Sequence, residues 1–133
     1  MKNVKTGYSS GKAISCFDIV ERSFNFAVRV VRLCRELDKN ITSTVIARQL
    51  MKSGTSICAN IEEAQAAQSK ADFAHKCNIS LKEARETNYW LRLLIASEII
   101  SEKKLLPLLG ESEELCRIIA TITKKSRQTA DGS

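Results

Sequence analysis

Apolar residues recur at helical spacing in four stretches of the chain, each bounded by residues that start or stop helices. Asp18 with Glu21 three positions later resembles a capping box, although the first helix has apolar residues from Ile14 onward. Thr42 or Ser43, then Ser69, then Ser101 are the predicted caps of the following helices. The predicted helices cover residues 18–37, 42–67, 70–98 and 102–125.

Four helices joined by short loops predict an all-α fold, an antiparallel up-and-down four-helix bundle. No stretch alternates between polar and apolar residues as a half-buried strand does. The predicted bundle domain occupies residues 14–126, between a flexible arm at 1–13 and a flexible tail at 127–133. Pro107 and Gly110 predict a kink or a late start in helix 4, and Gly54 predicts a close approach of a neighbouring helix.

Helix 1 carries two apolar stripes side by side. The first consists of Val20, Phe24, Ala27, Val28, Val31 and Cys34, and the second of Ile19, Phe26, Val30, Leu33 and Leu37. At about 100° per residue, the two stripes span about 220° of the helix, about twice the width expected for an ordinary surface helix. Helix 3 shows the same breadth, with Ile79, Trp90 and Leu93 beside its main stripe.

A single bundle core covers one stripe per helix, and a bare second stripe is typical of an interface. The pattern therefore predicts a homo-oligomer. The predicted subunit contacts are Phe26, Val30 and Leu33 on helix 1 and Ile79, Trp90 and Leu93 on helix 3. The alternative is a helix 1 that is buried centrally within one short chain.

Composition adds a basic surface to this picture. The chain has 133 residues, 21 of them Lys or Arg and 15 Asp or Glu, for a formal net charge of +6. Much of the excess inside the helices lies between residues 22 and 52. An excess of Arg and Lys on one face favours a polyanion such as RNA or DNA, and the alternative is a solvated face that maintains solubility. The candidate nucleic-acid-binding residues are Arg22, Arg29, Arg32, Arg48 and Lys52.

Polar residues also flank the apolar stripes of helices 2 and 3. They are Ser56, Asn60 and Glu63 on helix 2 and Glu83, Glu86 and Thr87 on helix 3. We interpret them as a structural polar seam that fixes helix register or subunit pairing. The alternative gives Glu63, Glu83 and Glu86 a chemical role, because carboxylates among apolar groups have raised pKa values.

No catalytic, metal or cofactor site is predicted. The five cysteines are widely spaced without a C-x-x-C pair, and the one histidine, His75, has no Glu-x-x-His context. The sequence contains no glycine-rich phosphate loop and no G-x-S-x-G motif. An amino terminus without an apolar signal segment and the absence of a membrane-length apolar run favour the cytoplasm.

Three segments resemble one protein family. They are residues 49–64, QLMKSGTSICANIEEA, residues 82–91, KEARETNYWL, and residues 24–31, FNFAVRVV. They are similar to the bacterial four-helix-bundle proteins encoded within 23S rRNA intervening sequences, over roughly residues 18–125. Two departures are Cys58, where that family usually has Gly, and Pro107.

The resemblance implies a homopentamer of antiparallel four-helix bundles and no catalytic residues. It extends to the accessory variability determinant proteins of diversity-generating retroelements, and so implies nucleic acid and a reverse transcriptase as partners. The resulting hypothesis is a non-enzymatic, pentameric scaffold that binds RNA or DNA through its basic surface. The alternative is a protein-interaction adaptor that holds a partner enzyme such as a reverse transcriptase without contacting nucleic acid.

Overall fold

The computed structural model describes residues 16–132, and within that range the chain forms four α-helices and no strand. Helix α1 covers Cys16–Glu36, α2 Ile41–Gln65, α3 Lys70–Ala96 and α4 Glu102–Gly132. The all-α prediction is confirmed. The predicted arm at 1–13 lies outside the described residues, whereas α4 continues to Gly132, through most of the predicted tail.

At the start of three helices, a side-chain oxygen accepts a hydrogen bond from a backbone N–H group that has no carbonyl partner within the helix. Asn40 Oδ1 accepts from Ser43 N at 2.9 Å, so the cap of α2 is Asn40 rather than Thr42 or Ser43. Ser69 Oγ accepts from Asp72 N at 3.0 Å, and Ser101 Oγ accepts from Lys104 N at 3.3 Å. The caps predicted for α3 and α4 are therefore the observed ones.

A residue in the left-handed conformation follows the end of helix α3. Glu98 has φ 60°, and it is the only non-glycine residue with positive φ in the described chain. Its N–H donates to the Ile95 carbonyl at 3.0 Å, and the next N–H, from Ile99, donates to the Leu94 carbonyl at 3.1 Å. These two bonds form a Schellman motif, which reverses the chain toward α4.

The helices pack as a square. Each helix packs against its neighbours along the chain, α1 closes the bundle against α4, and the backbones of the diagonal pairs do not approach each other closely. Ion pairs from Arg22 to Glu111 and from Lys104 to Glu36 place the start of α1 beside the middle of α4 and the end of α1 beside the start of α4. The neighbouring helices are thus antiparallel, and the α1–α4 seam is the least extensive of the four.

The core is aliphatic, with Phe26 as its largest fully buried side chain. Leu50, Ile57, Leu91 and Leu115 are among the side chains with no exposed surface. The helical geometry of α4 runs unbroken across Pro107, so the predicted late start is not observed. The core fixes which side of each helix faces outward, and it thereby places the two surfaces described next.

Candidate nucleic-acid interface

Four of the five predicted nucleic-acid-binding residues lie exposed on neighbouring helices. Arg29 and Arg32 project from α1, and Arg48 and Lys52 from α2. None of the four forms a salt bridge within the described chain. We call these four exposed cations on two adjacent helices the basic face. Arg32 and Arg48 border the depressions between α1 and α2, whereas Arg29 and Lys52 line neither, and Lys52 lies near enough to Glu83 to lower the pKa of its carboxyl.

Arg22, the fifth candidate, has a different role. Its Nε lies 2.7 Å from Glu111 Oε2 and its Nη2 lies 3.0 Å from Glu111 Oε1, a two-pronged ion pair across the α1–α4 seam. Glu114 Oε1 lies 4.0 Å from the same guanidinium. Because this charge is satisfied internally and half-buried, Arg22 belongs to the bundle and not to the basic face.

Sequence reasoning left two cations, Arg35 and Lys39, out of the candidate set. Arg35 is exposed one turn after Arg32, and it lines surface depressions together with Arg32 on one side and with Lys39 and Arg48 on the other. The three-residue spacing from Arg32 to Arg35 was the available signal, because it places both side chains on one side of a helix.

An apolar groove lies between α1 and α2 beside these cations. Its first part is a depression of about 560 Å³ with Phe24, Val28 and Val31 on α1 facing Cys58 and Ala59 on α2. A second part of about 440 Å³ continues past Arg35 toward Ala47 and Met51. We call the two parts together the α1–α2 groove.

The exposed stripe of α1 is not the one predicted for the subunit contact. Phe26, Val30 and Leu33 lie in the core of the protomer, at 1%, 0% and 9% exposure. The neighbouring stripe is the outward one, and Phe24 is 54% exposed. The breadth of the apolar sector was predicted correctly, but periodicity alone does not tell which of two adjacent stripes faces α4 and which faces solvent.

The helix 3 candidates are partly accessible. Ile79, Trp90 and Leu93 are half-buried, and Trp90 and Leu93 also pack against the core. Trp90 Nε1 donates to Glu86 Oε2 at 3.1 Å, and the Tyr89 ring meets the Trp90 ring edge to face. These three residues leave part of an apolar edge of α3 accessible.

The predicted polar seam is only partly inside the bundle. Thr87 is fully buried, with its hydroxyl oxygen 2.9 Å from Ser53 Oγ on α2 and 2.8 Å from its own helix carbonyl at Glu83. Ser56 and Asn60 instead donate to carbonyls of their own helix, at Lys52 and Ser56. Internal bonds that sequence reasoning missed join Ser80 to the Ile57 carbonyl at 2.7 Å and Asn88 to Ser112 at 2.9 Å.

Of the three carboxylates of the seam, Glu63 and Glu86 are exposed and Glu83 is half-buried. Glu63 pairs with Lys76 at 3.4 Å, and Glu86 accepts from Trp90. Burial raises the pKa of the Glu83 carboxyl, the nearby Glu86 raises it further, and Lys52 opposes both. In the part of the chain that the structure describes, no hydrogen bond joins any two of these carboxylates.

The described part of the chain also holds no cluster of three or more His, Cys, Asp or Glu side chains able to bind a metal ion. Two thiols, Cys34 and Cys58, lie along the α1–α2 groove. Burial raises the pKa of Cys34 to about 11 and also raises the pKa of Cys58. Neither thiol has the lowered pKa of a nucleophilic cysteine.

The fold defines a class, an antiparallel four-helix bundle, which here carries exposed cations beside an apolar groove between α1 and α2. The chain belongs to the 23S rRNA-intervening sequence protein family, whose model matches residues 16–121. It is also similar to a crystal structure from Bacteroides thetaiotaomicron VPI-5482, described as a protein with unknown function from the S23 ribosomal protein family. That similarity has 43% identity and a TM-score of 0.77 over 82% of this chain and 97% of the other.

A search of curated proteins finds no match. Neither the family nor the Bacteroides protein is described as an enzyme. Across the helices that the structure describes, no segment is both long and apolar enough to cross a membrane.

Proposed function

We propose that this chain is a non-enzymatic, self-associating helical scaffold that binds nucleic acid through the basic face. The observation that carries the proposal is the set of four exposed cations, Arg29, Arg32, Arg48 and Lys52, on two adjacent helices without internal ion pairs. Arg35 and Lys39 extend the same surface. A cationic face of this kind attracts phosphates and releases their counterions.

The binding we propose is governed by charge. The face presents guanidinium and ammonium groups on helices, and groups of this kind contact phosphates. Affinity then falls steeply with salt and depends little on sequence. Contact with four to six phosphates corresponds to a slope of log K against log salt of about −3 to −5.

Self-association enters as the second part of the proposal. The half-buried Ile79, Trp90 and Leu93 on α3 support a subunit contact on that side of the bundle. The pentameric stoichiometry is the one that the family resemblance implies. A ring would display the basic face once per subunit, so weak phosphate contacts would add through avidity.

Fluorescence anisotropy with a labelled single-stranded RNA, an RNA duplex and a DNA duplex tests the nucleic-acid part. Replacing the four cations of the basic face by Gln should weaken binding at least tenfold and flatten the salt slope. The matched control replaces four exposed cations elsewhere, Lys70, Lys82, Arg85 and Lys103, by Gln and removes the same charge. Equal losses in both variants, or binding insensitive to salt, would contradict a defined basic face.

Light scattering on a sizing column tests self-association. The expected mass is a multiple of the 14.8 kDa chain, and Leu93→Glu should reduce it because a carboxylate would be buried without a partner at the contact. A mass of 14.8 kDa at every concentration would remove the ring from the proposal.

A protein-interaction adaptor is the second candidate function. The observation that favours it is the apolar floor of the α1–α2 groove, since aliphatic side chains offer nothing to a phosphate backbone. Variants can separate the two candidate functions. Nucleic-acid binding depends on the cations of the basic face, whereas the adaptor function requires the apolar side chains of the α1–α2 groove.

A further inference from the structure

The α1–α2 groove exposes apolar surface that the bundle does not cover. Phe24 at 54% exposure and Met51 at 42% lie at its two parts, with Val28, Val31 and Ala59 between the helices. From Phe24 to Arg35 the groove follows about 16 Å of α1, at 1.5 Å rise per residue. A continuous apolar surface of this length, flanked by charge, is typical of a docking site.

The charges around the groove are unequal. Arg32 and Arg35 border it on the α1 side, and Arg48 and Lys39 border its second part. The acidic residues in its lining are Glu62 at one end and Asp38 at the other. The excess of cations selects an occupant that carries carboxylates beside its apolar surface.

This charge pattern also discriminates among occupants. A second copy docked by two-fold symmetry over the groove would bring the excess positive charge of both copies together, which is unfavourable. A neighbouring subunit of the proposed ring would instead bring an unlike face to the groove, and a change of oligomeric mass in a groove variant would reveal it. A nucleic acid would pair with the cations but leave the aliphatic floor uncovered. An amphipathic helix uses both features, because its apolar side chains cover the floor while its acidic flanks reach the arginines.

We propose that the α1–α2 groove binds an acidic amphipathic helix of about three turns from a partner protein. In the partner helix, apolar residues at positions i, i+3 or i+4, and i+7 pack on Val28, Val31 and Ala59 of the groove. Carboxylates on the flanks of the partner helix pair with Arg32, Arg35 and Arg48. This inference does not depend on nucleic-acid binding, although both ligands would use Arg32 and Arg48 and should therefore compete.

The test uses three labelled 18-residue peptides and anisotropy titrations on the full chain. The first peptide carries Leu and Ile on one helical face and Glu elsewhere. The second has the same composition in an order without an apolar face, and the third replaces every Glu by Lys. The first peptide should bind at least tenfold more tightly than either of the others.

Two protein variants locate the site. Ala59→Trp fills the groove without changing any charge, and it should weaken the first peptide at least tenfold. Ala71→Trp makes the same exposed substitution on α3, away from the groove, and should leave the affinity unchanged. Arg32→Glu combined with Arg48→Glu should reverse the preference toward the Lys peptide, a gain that a misfolded protein would not show.

The results separate this inference from the proposed function. Ala59→Trp keeps all the cations, so RNA binding persists in it if the basic face binds RNA, whatever happens to the peptide. Equal binding of the ordered and scrambled peptides, or an Ala59→Trp variant that binds like the unmodified chain, overturns the inference. A change of oligomeric mass in Ala59→Trp also overturns it, because the groove would then hold a second copy.

Discussion

Gly54 of α2 lies directly against Val30 of α1, so that a β-carbon added to Gly54 would come within 3.0 Å of both γ-carbons of Val30. Val30 has no exposed surface and, as a β-branched helical residue, has one preferred rotamer. It therefore cannot move aside at low cost. The close approach of α1 and α2, which brings the two sides of the groove together, depends on this one missing side chain.

Gly54→Ala should destabilise the bundle by about 1–3 kcal/mol despite the better helix propensity of Ala, because overpacking outweighs it. Urea unfolding followed by circular dichroism measures the change. In a Val30→Ala background the same substitution should become neutral or stabilising. Gly110→Ala is the matched control, since nothing lies within 4 Å of its added β-carbon, and it should stabilise by about 0.5–1 kcal/mol. Destabilisation in the Val30→Ala background would refute the clash.

Glu98→Gly should stabilise the fold by about 0.5–1 kcal/mol. The left-handed φ of 60° penalises a side chain at this position, whereas glycine adopts it freely. Glu113→Gly, at an exposed position inside α4, should instead cost about 1 kcal/mol. Thermal unfolding of both variants compares a glycine at the helix end with one in a helix, and a loss of stability in Glu98→Gly would contradict the observed cap.

Thr123→Val should stabilise the protein by about 1 kcal/mol. The Thr123 side chain is 2% exposed, and its hydroxyl has no hydrogen-bond partner in the described chain, so removing the hydroxyl relieves a desolvation cost. Thr87→Val is isosteric in the same way but removes the contact with Ser53, and it should cost about 1–3 kcal/mol. Denaturant midpoints for the pair should move in opposite directions, and a shared direction would argue against this assignment of the two hydroxyls.

Glu83→Gln should raise stability at neutral pH and lose its advantage in acid. Burial and Glu86 raise the pKa of Glu83 in the folded chain, so the fold favours the protonated form, and that stability is present in acid and lost as pH rises through the raised pKa. Above that pH the charged carboxylate lowers the free energy of unfolding of the unmodified chain, whereas the neutral amide of Glu83→Gln does not. Unfolding curves from pH 3 to 8 should diverge only in the upper range, while a constant difference would implicate packing. Glu63→Gln, at a more exposed carboxylate, serves as the control.

Sequence periodicity predicted the helices well because caps and apolar spacing are local signals. Ser69 and Ser101 act as predicted, and the displaced cap at Asn40 reflects a turn in which several adjacent residues are able to cap. The surfaces were harder to predict. Arg22 and Arg29 look alike in the sequence. Only the ion pair with Glu111, which is far away in sequence, distinguishes the structural cation Arg22 from the exposed Arg29.

The stripes of α1 show the same limit. Phe24 and Phe26 are separated by one residue, yet one is exposed and the other is in the core. Which of them faces inward depends on the rotation of α1 against α2 and α4, and that rotation is set by long-range packing such as the Gly54–Val30 contact.

The sparse α1–α4 seam makes the bundle unequal in its cohesion. Helix α1 is held mainly by α2 and by the Arg22–Glu111 and Lys104–Glu36 ion pairs, whereas α2, α3 and α4 share extensive contacts. Local unfolding begins where the contacts between helices are fewest. The backbone amides of α1 should therefore exchange with solvent faster than those of the other three helices. Every such opening would separate α1 from α2 and so break up the groove and the basic face together. A ligand bound there would therefore suppress the opening and slow amide exchange in α1.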